Sequence, residues 1–275
     1  MKNSVDSPFG FDKSAALASR LVVLEQTGST NTDAAAAVRD RANPATDFSV
    51  FVTDNQTAGR GRLGRVWVAP PGKTLAISVV VQPTALFERP DSLAWLPLLA
   101  GVAMTRAMRA VLDDDDSDSG VALKWPNDVL INGQKVSGIL TELIADRQAV
   151  VIGAGVNVAL DEADLPTPTS TSLKLVAGHA PSHDEFLARY LAELRERYER
   201  FVATGGDAEA ARLFDEVLEL CGTIGERVRV DLPGEQQLHG QAIGIDLMGR
   251  IIVEDSAGTR HTIAAGDVTH LRVEA

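Results

Sequence analysis

Between two apolar runs, Ser49–Thr53 and Thr74–Val81, lies a stretch in which glycine and arginine alternate, Gly59-Arg60-Gly61-Arg62-Leu63-Gly64-Arg65, closed by Val66-Trp67. The flanks are rich in β-branched residues and read as paired strands, so 54–67 is a long loop between them. Glycine lets the backbone fold closely over a ligand. Arg60, Arg62 and Arg65 supply forked donors that match carboxylate and phosphate oxygens. The stretch therefore points to an anionic ligand. With few apolar anchors, it is expected to move and to close on that ligand, excluding water from a reacting centre. Arg-Gly repeats also occur in disordered nucleic-acid-binding segments. Here, however, there is one short run in a chain of formal charge -12, with no wider basic patch.

A length of 275 residues fits one large domain, or a main domain plus a small one. Apolar residues make up 45% and charged residues 23%, a balance usual for water-soluble proteins. No run of about 18 apolar residues offers a membrane span, and no basic-then-apolar start offers a signal peptide. The single Cys221 cannot close an internal disulfide. A reducing cytoplasm is the expected location.

Residues 1–20 form an extension with a short helix near 14–20. A strand over 21–26 is followed by a Ser/Thr/Asn cluster and a helix over 34–41. Ser29, Thr30 and Asn31 either cap that helix or face a ligand above the strand ends. Apolar spacing predicts a helix over 91–112 that stops at the acidic block 113–118, read as a solvated loop rather than a metal site. Asn132-Gly133 between apolar runs signals a hairpin. Its second arm, 135–144, carries Gly138, where a ligand could approach the backbone. A strand over 150–158 contains Gly153-Ala154-Gly155-Val156-Asn157. A polar linker over 164–172 and helices over 183–202 and 208–220 follow. Short strands over 228–230, 238–245, 251–253 and 259–263, broken by Gly-containing turns, suggest a small β barrel or sandwich.

Two nucleotide motifs are excluded by position. Gly72-Lys73-Thr74 imitates the end of a P-loop, but Trp67 stands where its first glycine belongs. Gly153-Ala154-Gly155 begins like a dinucleotide fingerprint, but Val158 stands at the third glycine. No Gly-x-Ser-x-Gly or His-Glu-x-x-His occurs.

What remains is a set of pieces in a fixed order: the 59–67 run, Lys124-Trp125-Pro126-Asn127-Asp128, Lys135-Val136-Ser137-Gly138-Ile139-Leu140, and 153–157. In order and spacing they resemble the biotin protein ligases, from about residue 21 to the C-terminus. The resemblance implies an α/β (α+β) catalytic fold over 21–220, a mixed sheet flanked by helices as in class II synthetases and biotin/lipoate ligases. A C-terminal SH3-like β barrel over 221–275 would follow. It implies activation of biotin with Mg-ATP to biotinoyl-5′-adenylate and pyrophosphate, then transfer to one lysine of the biotin carboxyl carrier protein of an acyl-CoA carboxylase. By motif match, Ser29, Thr30, Asn31 and Gln56 would hold the ureido ring. Gly59, Arg60, Gly61 and Arg62 would lie along the valeryl tail and carboxylate, with Gly138 beneath. Lys135, aided by Arg60 and Arg62, would stabilise developing charge. Arg65, Trp67, Asn127 and Asn157 would meet the adenylate.

Lys124 and Asp128 stay open. They belong to the site, as nucleotide cation and Mg²⁺ carboxylate, or they pair with each other to hold the Trp-Pro-Asn turn. A further option makes Asp128 a base for the carrier lysine. A strand starting near residue 21 leaves no room for the winged helix of repressor members, so no specific nucleic-acid binding is expected. A monomer or weak homodimer is expected too. Competing readings are a lipoate or octanoate transferase on the same fold, and a non-catalytic biotin-binding module.

Overall fold

The computed structural model describes residues 10–112, 120–232, 236–264 and 266–270. In chain order its elements are α1 (Asp12–Ala15), β1 (Arg20–Val23), α2 (Thr30–Arg39), β2 (Ser49–Thr53), β3 (Gly59–Arg60), β4 (Val66–Trp67), β5 (Thr74–Val81), α3 (Leu96–Val111), β6 (Val121–Lys124), β7 (Asp128–Ile131), β8 (Gln134–Ile144) and β9 (Ala149–Asn157). Then come α4 (Leu173–Ala177), α5 (His183–Ala203), α6 (Leu213–Leu220), β10 (Arg227–Asp231), β11 (Gln237–Ile245), β12 (Ile251–Glu254), β13 (Arg260–Ile263) and β14 (Asp267–His270).

Seven strands form a mixed sheet in the order β1-β2-β5-β9-β8-β7-β6. Only β1 and β2 run parallel. Every residue of β2 and β5 is buried, because helices cover both faces, and a strand covered twice is apolar throughout rather than alternating. Successive side chains point to opposite faces. Val50, Val52, Ile77 and Val79 accordingly join the main core with α3 and α5, while Phe51 and Val80 pack with Ala34 and Val38 of α2. The β7–β8 turn has φ 50 at Asn132 and φ 74 at Gly133, the two positive angles that an Asn-Gly type I′ hairpin needs. At the base of the fold, Asp184 at the start of α5 accepts the backbone N–H groups of Lys13 and Ser14 and the Ser14 hydroxyl, at 3.0, 2.9 and 2.6 Å. That carboxylate docks α1.

The C-terminal strands form an antiparallel sheet in the order β13-β12-β11-β10-β14. Two buried indoles clasp its β11–β12 turn to the rest of the fold: Trp95 Nε1 donates to Leu247 O at 3.1 Å and Trp125 Nε1 to Gly249 O at 2.9 Å.

Several expectations shift. The loop over 54–67 contains its own ladder, Gly59 opposite Trp67 and Arg60 opposite Val66. The helix expected from 91 starts as a 3-10 turn, Pro90–Trp95, before α3. The helix expected from 208 begins at Leu213, after Arg212 at φ 59. Both α4 and β14 lack forerunners in the sequence reading. The acidic block 113–118 lies outside the described residues.

Beyond β9, Lys73 Nζ lies 2.5 Å from Asp164 and 3.5 Å from Asp161, and Lys174 Nζ lies 2.6 Å from Asp161. This network ties the 161–174 segment to the start of β5. Hydrogen bonds from Lys174 and Lys73 hold Asp161 below the ordinary carboxylate value of 3.8, and those from Lys73 do so for Asp164; the Asp164 hydrogen bond raises Lys73 above 10.5. For the aspartates the stabilisation is present above pH 3.8 and is lost as pH falls through their lowered values; for Lys73 it is present below 10.5 and lost as pH rises beyond it. Lys73→Met should therefore lower the melting temperature slightly at pH 7, and the gap from wild type should close as pH falls below 3.8 through the lowered aspartate values. A gap that persists in acid would assign the effect to packing of the lysine stem.

Candidate active site

The sheet, the β3–β4 hairpin, the 166–170 segment and β14 enclose a cleft of about 1300 Å³. Ser29, Thr30, Asn31, Gln56, Arg60, Gly61, Arg62, Arg65, Trp67, Lys124, Asn127, Asp128, Lys135, Gly138 and Asn157 all line it. Gly59 alone of the expected residues does not. A Cβ there would lie 2.5 Å from Trp67 O and 2.6 Å from Gln56 Nε2, so the close approach of β4 requires a glycine.

The floor is bare backbone. Gly138 of β8 stands opposite Gly155 of β9, and Gly153 opposite Leu140. The Trp67 indole lies on Gly155, where a Cβ would come within 2.4 Å of its ring. Gly138 gives the Lys135 stem passage, with Nζ 3.1 Å from its would-be Cβ. Lys135 thereby reaches from β8 to Asp128 Oδ1 of β7 at 2.7 Å, and sits 5.8 Å from the Trp67 ring centre. Asn127 extends the cluster: its Oδ1 accepts from Arg62 Nη1 at 2.7 Å, and its Nδ2 donates to Ile139 O at 2.9 Å. Arg62 also donates to Gly266 O at 3.3 Å, joining the hairpin to the C-terminal sheet.

The other end is polar. Ser29 stands at the N-cap of α2 but its side chain makes no cap bond. Gln56 Oε1, from the 54–58 segment, takes the Thr30 N–H at 3.0 Å instead. The capping alternative for Ser29 is thus not what the structure shows. Asn31 is buried and donates to Leu140 O at 3.2 Å and Glu142 Oε1 at 2.9 Å, while Ser78 Oγ donates to its Oδ1 at 2.6 Å.

Two expectations are corrected here. Arg60 does not stand beside Lys135; its Nη2 donates to Thr32 Oγ1 and Glu142 Oε1, each at 3.1 Å, at the α2 end. Asp128, expected to meet magnesium or Lys124, instead pairs with the Lys135 ammonium, and a hard cation placed there would face another cation. Among the described residues no group of three or more His, Cys, Asp or Glu side chains could hold a metal.

Several residues in or beside the cleft were missed. Glu142 follows Gly138 by four along β8, hence on the same face, and that period was its one signal. Thr169 and Ser170 come from the polar 164–172 stretch, which the backbone of Lys135 captures: Lys135 N–H donates to Thr169 O at 2.7 Å and Thr171 N–H to Lys135 O at 2.9 Å. His270 of β14 lines the Lys124 side, with its Nε2 3.1 Å from Thr223 Oγ1. Burial, and then the Lys124 charge, hold its pKa below 6.5. Of the residues that line the cleft, two have a buried polar atom with no hydrogen-bond partner among the described residues: the donor Trp67 Nε1 and the acceptor Asn157 Oδ1.

Comparison with known proteins agrees with this geometry. Residues 23–157 match the Biotin/lipoate A/B protein ligase family and 223–271 match the Biotin protein ligase C terminal domain. The chain is 38% identical over 260 residues to a biotin--[acetyl-CoA-carboxylase] ligase of Mycobacterium tuberculosis, covering 92% of this chain and 90% of that protein. It is 34% identical over 266 residues to the enzyme of the same name from Paracoccus denitrificans, covering 90% and 98%. The bifunctional ligase/repressor BirA of Bacillus subtilis is 32% identical over 229 residues, which take up 81% of this chain and 66% of that protein. The biotin protein ligase of Aquifex aeolicus, solved in complex with biotin and ATP, superposes with a TM-score of 0.75 at 26% identity, over 93% of this chain and all of that one. The chain belongs to the biotin protein ligases, ATP-dependent enzymes within the biotin/lipoate A/B protein ligase family.

Proposed function

We propose that this ligase condenses biotin with ATP to biotinoyl-5′-adenylate, releasing pyrophosphate, and passes the acyl group to one lysine of the biotin carboxyl carrier protein of an acyl-CoA carboxylase. One observation carries the reading: a single cleft joins a neutral polar end, built from Thr30, Asn31 and Gln56, to a cationic end, built from Lys135 and Arg62, across a floor of glycine backbone. A ureido ring asks for paired donors and acceptors, and an activated carboxyl asks for positive charge where negative charge develops. The unpartnered Trp67 Nε1 and Asn157 Oδ1 offer a donor and an acceptor to an adenine edge or a phosphate. ATP enters as its magnesium complex, the ion carried by phosphate oxygens and water rather than by a protein cage. Lys124 and His270 face that end from the two sheets.

In this reading residues 21–220 are the catalytic domain and 221–275 a docking module. The acidic chain works in the cytoplasm as a monomer or weak dimer, without specific nucleic-acid or membrane partners. Among the described residues no helix is long and apolar enough to cross a membrane.

The test combines the protein with biotin, Mg-ATP and an apo carrier domain, following pyrophosphate and carrier mass. An ATP-dependent gain of one biotinyl group on one lysine supports the proposal. Acceptance of lipoate or octanoate in place of biotin would overturn the substrate. No product with any of the three acids would leave a binding module.

A further inference from the structure

Glu142 takes no part in the reaction as proposed, yet it holds two binding residues that come from different parts of the chain. Its Oε1 accepts from Asn31 Nδ2 at 2.9 Å and from Arg60 Nη2 at 3.1 Å, and its Oε2 lies 3.4 Å from the same guanidinium nitrogen. The side chain is 28% exposed against 52% for Arg60.

Proton counting shows what the carboxylate decides. Asn31 has Leu140 O and Glu142 Oε1 on one side, both acceptors only. Its NH₂ must face them and its oxygen must face Ser78. The amide packs on the bare backbone of Gly153, where a Cβ would lie 2.2 Å from Asn31 Oδ1. Ser78 then gives its one proton to Asn31 Oδ1 at 2.6 Å. Ser78 Oγ also lies 2.8 Å from Thr30 Oγ1, whose own hydroxyl lies 3.3 Å from Gln56 Oε1. The donors thus run in one direction from Ser78 through Asn31 to Glu142. An uncharged amide at 142 would accept as readily as it would donate, and the longer bond to Leu140 O alone would then orient the Asn31 amide.

We infer that Glu142 is a positioning residue: together with Leu140 O it fixes the donor and acceptor ends of Asn31 at the α2 end of the cleft, and it tethers the glycine-arginine hairpin to that end through Arg60. The inference rests on the biotin reading for its consequence in catalysis, because a ureido head is recognised by that donor and acceptor pattern. The tether itself is a property of the ligand-free chain. Exposed ion pairs contribute little alone. The buried Asn31 bond is the stronger half, because an unsatisfied buried amide is costly.

The experiment uses Glu142→Gln, which keeps the side-chain size. KM for biotin in pyrophosphate release should rise about tenfold, the size of one lost charge-assisted hydrogen bond. The kcat should stay within about threefold and KM for ATP should not move. Ligand-free protein should also be cut by trypsin after Arg60, Arg62 or Arg65 about threefold faster or more. A biotin KM within twofold of wild type would overturn the inference, and so would equal losses in both KM values and kcat, the mark of general disruption. Should Glu142→Gln not fold, Ser78→Ala decides. A raised biotin KM with unchanged tryptic cutting supports the donor chain, and a wild-type KM refutes it. If wild-type protein releases no pyrophosphate with biotin, the ligase reaction falls instead. The tryptic comparison then stands alone, with faster cutting supporting the tether and equal cutting refuting it.

Discussion

Replacing Lys135 by alanine should lower adenylate formation by two to three orders of magnitude in single-turnover pyrophosphate release, the usual loss when one preorganised electrostatic group is removed. The geometry gives the loss two parts. The ammonium that would meet the developing charge is gone. In addition, Asp128, whose carboxylate is 17% exposed and 2.7 Å from Nζ, becomes an uncompensated negative charge facing two arriving anions. The double variant Lys135→Ala/Asp128→Asn should therefore recover part of the deficit, whereas independent effects would add. A wild-type rate in Lys135→Ala would remove this residue from the reaction.

Trp125→Ala should have the largest effect on stability, a loss of about 3–5 kcal/mol, typical of removing a buried aromatic ring. Trp125 is 2% exposed in the main core, its backbone N–H donates to Thr223 Oγ1 at 3.0 Å, and its indole donates to Gly249 O at 2.9 Å. One side chain thus belongs both to the catalytic core and to the junction with the C-terminal sheet. Trp125→Phe should restore most of the stability, leaving a deficit of about 1 kcal/mol for the lost N–H bond. Urea unfolding measures both, with the midpoint moving and the slope staying constant if only stability changes. A loss below about 1 kcal/mol for the alanine variant would show that the junction does not depend on this ring.

The sequence was most readable where a single local force dominates. β2 and β5 fall on the residues expected, because an unbroken β-branched run flanked by polar residues has one reading. Asn132-Gly133 gave its turn for the same reason, since few other pairs tolerate two positive φ angles. The reading was poorer where structure depends on a distant partner. β3–β4 has two rungs and exists because Trp67 seats on Gly155. β14 is short and gains its ladder only from β10. Helix periodicity over 208–212 yielded to a turn at Arg212.

The site followed the same division. The residues that the motif order named do line the cleft, Gly59 excepted, because the hairpins and strand ends carry them there together, while Thr169, Ser170 and His270 had no motif to announce them. How they pair was not. Lys124 and Asp128 do stand opposite each other across β6–β7, as their spacing suggests, but the Asp128 carboxylate turns to Lys135, which arrives from the next strand through the space a glycine leaves. Arg60 was expected beside Lys135, and nothing local announced that Glu142 would hold it at the opposite end.

The opposed glycines of β8 and β9 also bear on redesign for other acids. A pocket wall of side chains can be trimmed, but a wall that is already peptide backbone has nothing left to remove. Variants meant to accept bulkier acyl groups must therefore gain room from the lining residues Ile77, Leu140 or Trp67. Substitution at Gly138, Gly153 or Gly155 would only narrow the cleft.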